Sequence, residues 1–255
     1  MGLPLLMISC IVAWIASLIG IVLFPTSTSF LSDGKPRVRK NILLVIAHPD
    51  DESMFFTPTI NYLISERHAL HILCLSIGNA DGMGNVRKNE LYRACAVLKV
   101  PLDQVKIIDS PDLQDGFGRT WDHSLLSNII SKYISNLNID VIITFDTYGV
   151  SGHCNHSDVH FGVREFLRVS GSQISIEAWE LESIKLLRKY SGPIDVWCSK
   201  LVHMFDRSKE MHCVQNNDTL RSFRAMAEHS SQWLWFRKLF MSFSSYTYVN
   251  NLRRI

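Results

Sequence analysis

Residues 41–52 read NILLVIAHPDDE, and the two halves of this stretch decide how the rest of the chain is read. Residues 42–47 are an unbroken apolar run of Ile, Leu, Val and Ala. A strand with one wet face alternates polar and apolar residues. A run without alternation predicts a strand covered on both faces, as in a parallel sheet. The second half crowds His48, Asp50, Asp51 and Glu52 around a proline. In an open α/β sheet ligands bind beyond the carboxyl ends of the strands, so His48, Asp50 and Asp51 fall where chemistry is expected.

Downstream the pattern repeats. Residues 70–77 (LHILCLSI), 105–109 and 141–145 (VIITF) predict further strands, with helices over 54–67, 87–99 and 125–137 between them. This alternation implies crossover βαβ units and a Rossmann-like α/β fold: an open, mostly parallel sheet flanked by helices. Residues 174–179 and 201–205 predict additional strands, and 219–229 a helix. The segment 232–243 (QWLWFRKLFMSF) offers few polar residues, which predicts core packing rather than an interfacial helix. The glycine-rich stretch 78–86 (GNADGMGNV) contains neither GxGxxG nor GxxxxGK[ST]. It predicts a mobile loop at the sheet's carboxyl edge, not a phosphate cradle.

Upstream, residues 2–24 carry no charged side chain, while Lys35, Arg37, Arg39 and Lys40 follow closely. About 20 apolar residues span a bilayer as a helix. The missing basic n-region and the long apolar stretch argue for a retained N-terminal transmembrane helix over 1–24 rather than a cleaved signal. Basic residues stay on the cytoplasmic side, so the domain is expected there. A Pro-, Ser- and Thr-rich linker follows over 25–36, and the catalytic domain is expected over 37–255.

The 255 residues carry a formal net charge of +2, which gives no basic footprint for nucleic acid. Six scattered cysteines without a CxxC pair predict free thiols in a reducing compartment.

A second cluster lies in residues 146–160, DTYGVSGHCNHSDVH, immediately after the 141–145 strand. Strand ends on one edge converge, so HPDDE and HCNH can share a metal. Zn²⁺ takes imidazole and carboxylate ligands, three of them in a catalytic site. His48, Asp51 and His156 form such a set and leave Asp50 as general base and His153 to assist charge on the substrate. Blander readings exist for each half. Three acids before a helix can simply cap it, and HxxH is common by chance. Both clusters after buried strands make coincidence a poor account. Cys154 reads as a bystander.

AHPDDE after the first strand and GHxNH after a later one resemble the metal-dependent sugar N-deacetylases of the GlcNAc-phosphatidylinositol and mycothiol-pathway type. HPDDESMFF, ITFD followed by GVSGHCNH, LLRKY at 186–190 and SQWLWFR at 231–237 resemble the first branch more closely. The resemblance implies His48, Asp51 and His156 as ligands of one divalent metal ion, Zn²⁺ first, with Fe²⁺ or Mn²⁺ also suited to the donors. It implies Asp50 as base and His153 as the group assisting the tetrahedral intermediate. Arg87, opening the helix after the glycine-rich loop, is expected to contact sugar. So is an aspartate of the third-strand loop, where Asp109 and Asp112 both qualify and Asp112 is carried forward. Ser151 stands where soluble relatives carry a mobile tyrosine.

The implied reaction is hydrolysis of the N-acetyl group of a GlcNAc-phosphatidylinositol lipid, a step of GPI-anchor assembly. It implies a single-pass enzyme of the endoplasmic reticulum membrane facing the cytosol, with a glycolipid substrate, no nucleic acid and no protein partner. A deacetylase of another N-acetylglucosaminide and a non-catalytic glycolipid-binding protein are the alternatives.

Overall fold

The computed structural model describes residues 2–24, 30–31, 38–171, 175–206 and 210–255. An apolar helix comes first, α1 (Gly2–Leu23). β1 (Asn41–Ile46) runs into a short α2 (Asp51–Met54) and α3 (Thr57–Ser65), and β2 (Ala69–Cys74) precedes α4 (Gly84–Val97). β3 (Val105–Ile107), α5 (His123–Leu137), β4 (Val141–Phe145), the single turn α6 (Gly149–Gly152) and α7 (Cys154–Ser170) complete the regularly alternating half. The remainder is β5 (Glu177–Leu181), α8 (Leu186–Lys189), α9 (Asp195–Phe205), β6 (Met211–Gln215), α10 (Thr219–Glu228), α11 (Trp235–Phe243) and β7 (Val249–Arg254).

The seven strands form one sheet in the order β3-β2-β1-β4-β5-β7-β6. β1 to β5 are parallel, and only β7 runs antiparallel, between β5 and β6. The expected mostly parallel α/β sheet is therefore present. Its central strand explains the unbroken apolar run. Side chains alternate across a strand, so Ile42, Leu44 and Ile46 enter a core with Ile60, Leu63, Leu91 and Ala94. Leu43, Val45 and Ala47 enter a second core with Leu126, Ile130, Val159 and Val163. Each such side chain contributes about 1.5–3 kcal/mol by leaving water.

The second half departs from the sequence expectation. Residues 201–205 form the end of α9, not a strand: the helix starts at Asp195 after the Gly192–Ile194 turn and runs through them. The strand expected over 174–179 is seen at Glu177–Leu181, its first residue lying outside the described set. The expected 54–67 helix breaks at Phe55 and Phe56, and Pro58 sits in the first turn of α3, where its missing N–H costs nothing. β6 and β7 were not expected, because VNNLRR in β7 buries Asn250 and Asn251 and so has no apolar signature.

Among the described residues no helix is long and apolar enough to cross a membrane. The segment expected to span the membrane forms α1, a 22-residue uncharged helix with part of one face on the domain. Ile21 is buried with Val196, Tyr248 and Val249, and the Trp14 ring stands 6.1 Å from that of Phe243. Except for Phe30 and Leu31, the linker expected over 25–36 lies outside the described residues, as does the expected domain start at 37. All six cysteines are free thiols.

The third carboxylate of HPDDE is structural. Glu52 is fully buried; its Oε1 accepts from His229 Nε2 at 2.7 Å and from Ser53 Oγ at 2.6 Å, and its Oε2 accepts from Asp50 N at 3.1 Å. Burial alone would lower the His229 pKa, but Glu52, with Asp50 and Glu90, outweighs it and raises it. The pair thus fastens the end of α10 to the loop after β1. Removing one partner of a buried pair costs about 3 kcal/mol or more, so His229→Ala should unfold at clearly lower temperature. A raised histidine stabilises fully below its ordinary value of 6.5 and loses that contribution as pH climbs through the raised one. The Tm gap between wild type and His229→Ala should therefore narrow as pH rises above 6.5, as thermal denaturation across pH would show.

Candidate metal centre and active site

In the order 3-2-1-4-5 the sheet changes direction between β1 and β4, the topological switch point where doubly wound sheets bind ligands. HPDDE leaves one of these strands and the histidine loop leaves the other. A cavity of about 650 Å³ opens there, with His48, Asp50, Asp51, His153 and His156 in its lining. That is within the range of small-molecule sites.

Asp51 joins the two loops. Its Oδ2 accepts from the backbone N–H of Ala47 at 3.0 Å and of His48 at 2.8 Å, while Oδ1 faces His156 Nε2 at 3.2 Å. Burial would raise this carboxyl, but His156 and His48 hold it well below the usual carboxylate range. Asp50 precedes it at φ 115°, a left-handed conformation that costs a non-glycine residue about 1–3 kcal/mol. The strain turns a buried carboxylate into the cavity. Its Oδ2 has no hydrogen-bond partner and lies 3.3 Å from Arg237 and 3.5 Å from Arg87. Burial raises the Asp50 carboxyl in spite of both guanidinium groups.

The loop after β4 is anchored by Asp146. Its Oδ1 accepts from Gly149 N at 2.9 Å and Ser183 Oγ at 2.6 Å, and its Oδ2 from Ser183 N at 2.7 Å. Val150 is held at φ 65°, with Ser183 Oγ accepting its N–H at 2.7 Å and Lys189 Nζ donating to its carbonyl at 3.0 Å. The His156 ring stacks flat on Phe145, centroids 4.1 Å apart, at the end of β4.

Hydrogen bonds fix which ring nitrogen each histidine offers. His156 Nδ1 lies 3.0 Å from the Gly149 carbonyl, an acceptor only, so Nδ1 carries the proton and Nε2 keeps a lone pair. His48 Nε2 lies 3.1 Å from both Asn155 Oδ1 and Asp115 Oδ1, which leaves the lone pair on Nδ1. His153 is opposite in kind. Its Nδ1 accepts the Asn155 N–H at 3.3 Å, so in the neutral ring Nε2 bears the hydrogen. Burial, then His48 and His156, push His153 down to about 4, so the neutral ring prevails near pH 7.

His48, His153 and His156 each offer a ligand atom within 4.8 Å of the others, and this group could hold a metal ion. The donors fit the expected divalent ion: imidazoles and a carboxylate suit Zn²⁺, Fe²⁺ or Mn²⁺. The 3.2 Å between Asp51 Oδ1 and His156 Nε2 also suits two ligands sharing one ion at ordinary bond lengths.

Arg87 is buried at the cavity, not on the surface. It donates to Pro49 O at 2.7 Å, Gly78 O at 2.9 Å and Asp115 Oδ2 at 3.1 Å. The glycine-rich loop therefore serves as a seat for this guanidinium. Asp112 is exposed and absent from the cavity lining, a correction to the expected sugar contact. Asp115 of the same loop does line the cavity, its carboxyl held down by His48 and Arg87 against its burial. The one sequence signal for it is its position beside Gly116-Phe117-Gly118. Ser151 lines the cavity, whereas Tyr148 is exposed outside its lining. Arg237 and Lys189 lie in the SQWLWFR and LLRKY segments that carry the resemblance, but they reach the site from elements over 180 and 130 residues downstream of HPDDE, so no spacing places them there.

The GlcNAc-PI de-N-acetylase (PIG-L) family model matches residues 43–167. The N-acetylglucosaminyl-phosphatidylinositol de-N-acetylase of Bos taurus is 38% identical over 219 residues, 86% of this chain and 85% of its own. This chain belongs to the GlcNAc-PI de-N-acetylase family. A probable N-acetylglucosaminyl-phosphatidylinositol de-N-acetylase of Schizosaccharomyces pombe is 34% identical over 245 residues, 94% of this chain and 98% of its own. Among solved structures, N,N'-diacetylchitobiose deacetylase from Pyrococcus horikoshii has the same fold at a TM-score of 0.63 and 13% identity, over 94% of this chain and 92% of that one.

The placement of His156 rests on Gly149, at φ 63°, where an added Cβ would sit 2.5 Å from His156 Cβ. Gly149→Ala combines a left-handed penalty of about 1–2 kcal/mol with this collision. The variant should fold with a lowered Tm and bind much less than one metal ion per chain by elemental analysis. Wild-type metal content would show that His156 is not held from this point.

Proposed function

We propose that this member of the family hydrolyses the N-acetyl group of N-acetylglucosaminyl-phosphatidylinositol, releasing acetate and leaving a free amine. The observation that carries the reading is Asp51 facing His156 across the switch point, with a strained, buried Asp50 beside it. We assign His48 Nδ1, Asp51 and His156 Nε2 as ligands of one divalent ion, Zn²⁺ first, because their hydrogen bonds leave lone pairs on those atoms. Bound there, the ion would polarise the amide carbonyl and make water acidic enough to attack near neutral pH.

The chain's own groups complete the chemistry. Asp50 takes a proton from the water whose oxygen bonds to the carbonyl carbon. His153, with its hydrogen on Nε2, donates to the carbonyl oxygen as negative charge grows there. When the C–N bond breaks, the proton held by Asp50 goes to the departing nitrogen, which leaves as the amine. Arg87, with Asp115, is assigned to the sugar hydroxyls.

Surface chemistry supports membrane attachment. Of α11 only Met241 is buried, so the expectation of core packing for 232–243 is corrected: Trp235 is 73% exposed and Leu239 49%. Phe236, Leu239, Phe240 and Phe243 line the outer part of the cavity, and Trp14 of α1 meets Phe243. The outward face of α1 carries Ile8, Ile11, Ile15 and Ile19, all exposed. Exposed apolar side chains at a cavity mouth, with more on the helix that meets it, match lipid rather than water. We place the domain on the cytosolic face of the endoplasmic reticulum membrane, its mouth toward the leaflet that holds the glycolipid.

Purified protein in detergent should release acetate from N-acetylglucosaminyl-phosphatidylinositol, lose this activity to a chelator and regain it with Zn²⁺. Asp50→Asn, which tolerates the left-handed backbone, should fold normally and lose about 10²–10⁴-fold in kcat. Turnover close to wild type would remove Asp50 as the base, and no turnover by folded, metal-loaded wild type would remove the substrate assignment. For attachment, vesicles with brominated acyl chains should quench tryptophan fluorescence, and less so in Trp235→Phe. Equal quenching in both would take α11 out of the membrane contact.

A further inference from the structure

Among the described residues that line the cavity, one cation has no counter-charge. Arg87 is paired with Asp50 and Asp115, and Arg237 with Asp50. Lys189, at the end of α8, is only 8% exposed, and among the described residues no carboxylate pairs with it. Its ammonium spends one N–H on the Val150 carbonyl at 3.0 Å and lies 6.0 Å from the centroids of the Tyr190 and Phe240 rings. An ammonium has three N–H donors, so two remain for the cavity. A buried charge without a partner is costly, and the cost falls when an anion completes the site.

Position says which anion. Of the cavity-lining groups His48, Asp50, Asp51 and His156 are buried, while Phe236, Leu239 and Phe243 of α11 are exposed at its mouth, and Lys189 meets both sets, bonded to Val150 of the histidine loop and beside the Phe240 ring. A substrate that places an acetamido group on the floor and acyl chains at the rim carries its phosphodiester in between, one inositol ring away from the sugar. We infer that Lys189 binds the phosphodiester of the glycolipid and thereby selects phosphate-bearing N-acetylglucosaminides. This rests on the substrate reading above. Lys189 is a binding and specificity residue; it does not touch the reacting amide. Its bond to Val150 sets the ammonium in place and steadies the loop that leads to His153.

The test compares kcat/KM for three substrates: N-acetylglucosaminyl-phosphatidylinositol, its neutral methyl phosphotriester, and N-acetylglucosaminyl-inositol without phosphate. Wild type should prefer the phosphodiester over both. A hydrogen bond to a charged group is worth about 1.5–3 kcal/mol, so that preference should fall about 10- to 100-fold in Lys189→Met, mainly through KM. Lys189→Arg should keep most of it. Wild type treating diester and triester alike would overturn the assignment without any variant. An equal proportional loss on all substrates in Lys189→Met would also overturn it, leaving Lys189 as a support for Val150. Wild type idle on the glycolipid yet active on another N-acetyl sugar overturns the substrate reading itself, a result distinct from both.

Discussion

One buried carboxylate holds the site together. Asp51 spends one oxygen on two backbone N–H groups at the end of β1 and turns the other to His156, on the helix that follows β4. Neighbouring parallel strands bring these loops side by side, but the sheet alone sets neither side chain to within an ångström. Two backbone N–H groups fix the Asp51 carboxylate in surroundings that exclude water, and the Gly149 carbonyl and the Phe145 ring fix the His156 imidazole that its other oxygen faces. Without that carboxylate the bond between His48 and Asn155 would still link the two loops, but His156 would lose the acid it faces.

Around it the fold accepts strain and offsets it locally. Asp50 and Val150 both sit at positive φ, a conformation that a valine, branched at Cβ, adopts at particular cost. Each is enclosed by polar partners: Glu52 takes the Asp50 N–H, Ser183 takes that of Val150, and Lys189 holds the Val150 carbonyl. Three further polar groups within the two motif stretches are supports. Glu52 ties α10 to the metal loop, Asp146 fixes the turn before the histidines, and Asn155 braces His48 and His153. Catalytic geometry here is a property of these supports as much as of the groups that react.

The first half of the fold was legible because its signals are local. The 41–47 run, the 141–145 strand and the 87–99 and 125–137 helices each read correctly within a short window, and both motifs fell on the strand ends that the topology joins. The misreadings have a common cause. Residues 201–205 look like a strand only if the helix running in from Asp195 is ignored, and β7 hides behind two buried asparagines whose partners lie far along the chain. Asp115, Arg237 and Lys189 join the site through tertiary contacts that no spacing encodes. For α11 composition was silent on a different point: an aromatic helix suits a protein interior and a lipid surface equally, and only its exposure separates the two.

The central claim is that two imidazoles and Asp51 hold the metal while His153 stays free to act on the substrate. X-ray absorption spectroscopy of the Zn²⁺-loaded protein tests it directly, since imidazole rings scatter distinctively and can be counted. The account predicts two imidazole nitrogens, with oxygen completing the shell at about 2.0–2.2 Å, and a signal unaltered in kind by His153→Ala. Three imidazoles around the ion, reduced to two by that substitution, would contradict it and make His153 a ligand.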